Sequence, residues 1–190
     1  MSKVDNQYQE RLDAAAKLFK IVKLNVHPRT VERYVDVLEE ISERKQRGVK
    51  QILSSSGGVF SEKYSGVVVE TNIPIFSWCE HHILPWFGQA NIGYLADNKV
   101  LGLSKFTRIV DYFSRGMTIQ ERVTNHIAEF LESELSGDVI VMIEAIHTCK
   151  VARGIQSPFS RSVTLDARGL FRTNESLKSE FLSVVQLAHR

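Results

Sequence analysis

Cys79, Glu80, His81 and His82 follow one another in the chain, and Cys79 and His82 stand at a C-x-x-H spacing. One tight turn can aim a thiolate and an imidazole at that spacing toward a single ion. The only other cysteine, Cys149, lies two residues after His147 in the segment Val139-Ile140-Val141-Met142-Ile143-Glu144-Ala145-Ile146-His147-Thr148-Cys149. Read as a strand, its period of two puts Val139, Val141, Ile143, Ala145, His147 and Cys149 on one face. An apolar row would then end in an imidazole and a thiol side by side. Two cysteines and one histidine make a ligand set that leaves a fourth position for water, which is the catalytic rather than the structural zinc pattern. A lone C-x-x-H is weak evidence, and buried cysteines often only fill space. Both cysteines lying beside histidines is what makes Cys79, His82 and Cys149 the expected metal ligands.

The elements that must position these residues follow from periodicity. Gln7 to Leu24 has Leu12, Ala15, Leu18, Phe19 and Val22 at helical spacing. A second helix is expected over 30–47, with Val31, Tyr34, Val35, Leu38 and Ile41 on its apolar side. Ser54 to Gly58 is a breaker cluster that reads as a loop. Strands are expected over 67–73 and 88–95, with Ala96-Asp97-Asn98-Lys99 as a turn into 100–102. Helices at 105–114 and 119–133, strands at 139–149 and 161–166, and a last helix at 176–188 complete the order. Strands and helices come in pairs, not in strict alternation. The expected class is therefore α+β, an antiparallel sheet with helices on one face and an N-terminal helical arm. The arm and its loop take residues 1–65 and the catalytic domain 66–190.

Composition narrows the function. The 190 residues are 43% hydrophobic, enough for one real core. A formal net charge of +2 without any Lys/Arg block argues against nucleic acid. No apolar run approaches the roughly 20 residues of a membrane span, and the N-terminus does not read as a signal peptide. Two cysteines give no disulfide framework, and a thiolate site suits a reducing compartment, so a cytoplasmic protein is expected.

Several segments together resemble the GTP cyclohydrolase I family, the zinc enzymes that open pteridine synthesis. They are CEHH at 79–82, IGY at 92–94, GLSKFTRIV at 102–110, FSR at 113–115, QER at 120–122, IEAIHTCKVARGIQ at 143–156 and LFR at 170–172. The resemblance runs over residues 66–185, and its motifs fall in the family's order. It implies the tunnelling fold, with active sites between subunits and a homo-oligomer, a decamer of two pentameric rings. It implies one zinc ion per subunit on Cys79, His82 and Cys149, which lowers the pKa of a water for attack at C8 of guanine. His147 is then the proton donor to N7, and His81 assists hydrolysis and formate release.

The same resemblance places Glu121, with Gln120 beside it, on the guanine N1–H and amino edge. Read without the family, Glu121 is a solvated residue in a helix's first turn. Lys105, Arg108 and Arg153 map to triphosphate contacts and Ser104 to the ribose oxygens, with helix N-capping as a compatible role for Ser104. The product of the family reaction is 7,8-dihydroneopterin triphosphate, which serves tetrahydrofolate, biopterin or deazaguanine synthesis. Where relatives read T-P-x-R-V, this chain has His27-Pro28-Arg29-Thr30-Val31-Glu32-Arg33. Thr30 replaces the motif arginine, and Arg33 keeps a later basic position for the triphosphate. Other readings are a ring-opening variant that releases formate without making the pterin, a tunnelling-fold enzyme acting on a different purine or pteridine, and a non-catalytic GTP-binding homologue. A nitrile reductase of that fold uses a cysteine nucleophile without a zinc triad, so the three ligands argue against it. The retained His81 and His147 argue against loss of chemistry.

Overall fold

The computed structural model describes residues 3–27, 29–43, 52, 58–135, 137–154 and 156–189. The chain divides into two compact units, Met1–Lys45 and Gln46–Arg190. The first is a helix pair, α1 (Lys3–Ile21) and α2 (Arg29–Glu43). Phe19, Val35 and Ile41 are its buried apolar residues, and the Phe19 ring lies 5.2 Å from that of Tyr34. Tyr8 donates to Asp36 at 2.8 Å, and Arg11 pairs with Glu39. The first helix stops at Ile21, short of the expected Leu24, because Lys23 turns to φ 58°. Pro28, the expected last turn of α2 and the loop residues 54–57 lie outside the described residues.

The second unit is built on β1 (Val59–Cys79), β2 (Leu84–Leu101), β3 (Met117–Thr118), β4 (Val139–His147) and β5 (Ser162–Ala167). Among the described residues these form one sheet in the order β3-β1-β2-β4-β5, antiparallel except for the short β1–β3 pair. Its helices are α3 (Leu103–Ser114), α4 (Gln120–Glu134), α5 (Thr148–Val151), α6 (Leu170–Thr173) and α7 (Glu175–Ala188).

Both long strands exceed their expected lengths. β1 starts at Val59 and runs through Pro74, a residue that argues against a strand interior. β3 pairs only Trp78 and Cys79, so β1 is an edge strand at Pro74, where a missing N–H is tolerated. The expected turn at 96–99 lies instead within β2, opposite a bulge of β1. Asn98, at φ 56°, faces residues 62–64 between the pairs Ser61↔Lys99 and Ser65↔Asp97. An asparagine in the left-handed region marks an irregularity, and only the partner strand decides whether it is a turn or a bulge.

A second bulge decides where the chemistry sits. Between the pairs Glu70↔Ile92 and Ile73↔Ala90, two residues of β1 face one of β2. Asn72 takes φ 57°, and its N–H donates to Oδ1 of the fully buried Asn91 at 3.0 Å. One extra residue reverses the alternation of side chains. Val67 and Val69 therefore lie on one face, whereas Ile73, Ile75 and Cys79 join the main core on the other.

That main core takes Val139, Val141, Ile143 and Ala145 from β4, as the period of two predicts. It packs them against Phe106, Ile109 and Val110 of α3 and Val123, Ile127 and Leu131 of α4, all fully buried. Each such side chain contributes about 1.5–3 kcal/mol of apolar burial. The helices are not confined to one face. Phe171 of α6 and Phe181 and Val185 of α7 cover Ile140 and Met142 on the opposite side of β4. Asn174 caps α7, its side chain accepting from the N–H groups of Ser176 and Leu177.

Gly88 is where β2 comes closest to β4, directly opposite Ala145. A Cβ there would meet the Glu144 carbonyl oxygen at 2.0 Å and the Ala145 Cα at 2.6 Å. Both are backbone atoms that the ladder holds in place. Gly88→Ala is expected to lower the melting temperature by about 5 °C or more. An unchanged thermal melt would show that the ladder absorbs the methyl group.

Candidate metal centre and active site

The β1–β2 hairpin closes over four residues, Glu80 to Ile83. The N–H groups of His82 and Ile83 both reach back to the Cys79 carbonyl, at 3.3 and 2.8 Å. Ile83 stands at φ 53°, a left-handed conformation that a β-branched residue adopts only under constraint. The turn is fastened from outside as well. Arg122 of α4 grips Glu80 through two hydrogen bonds of 2.6 and 3.1 Å, and this holds the exposed Glu80 carboxyl below its ordinary pKa. The result is that Cys79 Sγ lies 3.5 Å from His82 Nδ1.

Cys149 arrives by a different route from the expected one. β4 ends at His147 and the chain turns into α5, so Cys149 is not the next member of the strand row. Thr148 pins that turn by donating to the Pro85 carbonyl at 2.6 Å. From α5 the Cys149 thiol completes a cluster with Cys79 and His82 in which all ligand atoms lie within 4.8 Å of one another. Cys79 is buried, Cys149 half-buried and His82 exposed.

This donor set fits a metal ion. Tetrahedral zinc bonds of about 2.3 Å to sulfur and about 2.0–2.1 Å to nitrogen separate ligand atoms by roughly 3.5–3.8 Å. The cluster is already near that spacing. Burial first, and then the neighbouring Cys79, push the Cys149 thiol above its ordinary pKa. A divalent cation would stabilise the Cys149 thiolate that burial disfavours.

His147 sits beside the cluster at the end of β4, half-buried. Its ring stacks on Trp86, centroids 5.4 Å apart and planes 13° from parallel. The two residues are direct partners in the β2–β4 ladder. Burial, and then the charge of Lys150, lower the His147 pKa, while Glu121 acts in the opposite sense. Nε2 of His147 lies 2.8 Å from Gln120 Oε1. Gln120 is itself buried, and its Nε2 contacts the carbonyls of Ile143 and Ser162 at 2.9 and 3.0 Å and Thr164 Oγ1 at 3.1 Å. These internal contacts occupy the Gln120 amide, which the sequence reading had placed on substrate.

The other expected residues are distributed as follows. His81 is exposed next to His82, ring centroids 6.2 Å apart. Glu121 is exposed in the first turn of α4, beside a shallow depression shared with Thr124, Asn125, Thr164, Leu165 and Asp166. Arg153 is exposed just beyond α5, close enough for its charge to oppose the rise in the Cys149 pKa. Ser104 and Arg108 are exposed on α3. Ser104 is not the N-cap of that helix: Gly102 holds the position, with no side-chain cap bond. Lys105 is 2% exposed, and its ammonium donates to the Ile52 carbonyl at 3.0 Å. Arg33 is exposed on α2, in the other compact unit.

Trp86, Thr164 and Lys150 were not singled out from the sequence. Trp86 was within reach, because stepping back by two from Ala90 and Ile92 sets it on the core face. Lys150 donates to Ser160 at 2.8 Å and Ser162 at 3.3 Å, contacts that no local pattern announces.

Comparison with known proteins decides the family. The profile of GTP cyclohydrolase I matches residues 6–186. The chain belongs to the GTP cyclohydrolase I family. It is 39% identical over 158 residues to GTP cyclohydrolase 1 of Gloeobacter violaceus, covering 83% of this chain and 73% of that one. GTP cyclohydrolase 1 of Deinococcus radiodurans is 38% identical over 159 residues, with the same coverage of both chains. For GTP cyclohydrolase 1 of Drosophila melanogaster the identity is 39% over 158 residues, 83% of this chain and 48% of the relative. A crystal structure of the archaeosine synthase QueF-Like in the apo form covers 55% of this chain and 96% of its own, at a TM-score of 0.43 and 15% identity. That likeness is too low to carry an argument. Family membership makes the protein an enzyme of the hydrolase class, and its α+β architecture with an antiparallel sheet is that of the tunnelling fold. Among the described residues, no helix is long and apolar enough to cross a membrane.

Proposed function

We propose that this protein converts GTP to 7,8-dihydroneopterin triphosphate with release of formate, using zinc. The observation that carries the reading is the convergence of Cys79, His82 and Cys149 beside His147 within a family-matched chain. Zinc held by those three ligands supplies Lewis acidity, lowering the pKa of a water at neutral pH. The remaining work falls to side chains of this protein. His147, half-buried and stacked on Trp86, delivers a proton to N7 of guanine and so makes C8 electrophilic. His81, exposed next to a ligand, assists the hydrolysis that frees formate. Glu121 accepts hydrogen bonds from the N1–H and amino group of guanine. Gln120, its neighbour, borders the same guanine edge, its side-chain amide held by the Ile143 and Ser162 carbonyls and facing His147.

Lys105, Arg108 and Arg153 bind the triphosphate, and Ser104 meets the ribose oxygens. Lys105 must exchange the Ile52 carbonyl for a phosphate oxygen, a charge-assisted bond of greater strength. Arg33, on the helical arm, reaches the triphosphate held by a neighbouring subunit, with Thr30 in place of the family arginine weakening that grip. We take residues 66–190 as the catalytic domain and 1–65 as the arm.

The working form is a homo-oligomer, a decamer of two pentamers in which neighbours complete the sites. Its support is an open sheet. β5 is an edge strand with Val163 and Leu165 exposed, and the ladder pair Phe76–Phe87 is exposed near the other edge. Edges and apolar faces of this kind invite pairing. The cytoplasm, a reducing compartment, suits the two thiols. Incubating the zinc-loaded protein with GTP tests the function. A fluorescent pterin is expected after oxidation of the product, and its persistence in the presence of a strong chelator would refute the zinc dependence.

A further inference from the structure

Gln120 sits at a junction of three elements: the start of α4, the β4 ladder and the edge strand β5. Its side-chain nitrogen faces the Ile143 carbonyl at 2.9 Å and the Ser162 carbonyl at 3.0 Å. Carbonyl oxygens only accept hydrogen bonds, so the NH₂ end of the amide must point at them. The choice of amide orientation, often arbitrary for a glutamine, is forced here by two backbone groups. Thr164 Oγ1 adds a third acceptor at 3.1 Å. Thr164 in turn lies 2.6 Å from Thr124 Oγ1, which donates to the Gln120 carbonyl at 2.9 Å. The two amide hydrogens are thus shared among three oxygens, and all three favour the nitrogen on that side.

The other end of the amide is then an oxygen, 2.8 Å from Nε2 of His147. An amide oxygen cannot donate. Nε2 must therefore carry a hydrogen, and in a neutral imidazole Nδ1 is left as the lone-pair nitrogen. Stacking on Trp86 holds the ring plane while the amide fixes its rotation. We propose that Gln120 is a positioning residue that sets the tautomer and ring orientation of His147, committing Nε2–H to the protein and leaving Nδ1 as the lone-pair nitrogen. This assignment rests on the reading of His147 as proton donor.

The test is ¹⁵N magic-angle-spinning NMR of the histidine-labelled, zinc-loaded enzyme, with His147 assigned by difference against His147→Asn. At a pH where His147 is neutral, the wild type is expected to show a protonated Nε2 and an unprotonated Nδ1. The opposite tautomer would overturn the proposal outright. In Gln120→Leu the single tautomer is expected to give way to a mixture, with kcat falling about ten- to a hundred-fold at nearly constant KM. In Gln120→Glu a protonated carboxyl can still donate to one carbonyl and accept from Nε2, so the wild-type tautomer and much of kcat should return. A fall in kcat in Gln120→Leu with the tautomer unchanged would mean a merely structural role and would refute the idea. Should Gln120→Leu fail to fold, the wild-type and Gln120→Glu spectra still decide it. Because the spectrum does not depend on turnover, an enzyme with the expected tautomer but no GTP conversion would overturn the function and not this assignment.

Discussion

Cys149→Ala is expected to lose its metal and its activity together, with turnover down on the order of a thousand-fold or more. The chain offers three ligands to the ion, so removing one leaves a two-ligand site with an additional open position. The loss should be one of chemistry and not of folding. Cys149 sits on the short helix α5, half-buried at the margin of the main core, and its thiol meets Cys79 at the very end of β1. Metal content by elemental analysis and a thermal melt on the same sample check both halves. A variant that keeps one zinc per chain would remove Cys149 from the ligand set. A variant that loses zinc but keeps turnover would remove zinc from the chemistry.

His147→Ala should behave in the contrary way, retaining zinc at one per chain while turnover falls by about 10²–10⁴. His147 is not among the three clustered ligands, and its Nε2 is directed at Gln120. Truncation also carries a structural cost that must be separated from the catalytic one. It strands the Gln120 oxygen in a buried place, at about 1–3 kcal/mol, and removes a stacking partner of Trp86 worth about 0.5–1.5 kcal/mol. A lowered melting temperature is therefore expected, and kinetics belong well below it. Turnover near the wild-type level in a folded, zinc-replete His147→Ala would sink its assignment as proton donor.

The contrast between these two neighbours bears on what a sequence can disclose. Cys79 and His82 were legible because a three-residue spacing over one turn is local geometry. Cys149 was found for a partly mistaken reason: the strand row ends at His147, and a helical turn, not the period of two, delivers the thiol. The core row Val139 to Ala145 was readable because alternation within a strand is also local. What escaped were facts about partners. The bulge at Asn72 flips Cys79 onto the core face, yet nothing in residues 67–79 alone says that Asn91 waits across the ladder to accept its N–H. The internal acceptors of Gln120, on Ile143, Ser162 and Thr164, lie 23 to 44 residues away in the chain, beyond the reach of any local pattern. The C-terminal helices on the second face belong to the same class, since their burial depends on Ile140 and Met142 being left uncovered by α3 and α4.

Product stoichiometry in a single GTP incubation bears most directly on the central claim. The zinc-loaded enzyme should release formate and form an oxidisable pterin in equal amounts as GTP disappears, and a chelator should abolish both. Formate without pterin would contradict the account and define a ring-opening enzyme instead. Neither product, with zinc confirmed on Cys79, His82 and Cys149, would contradict the choice of GTP itself.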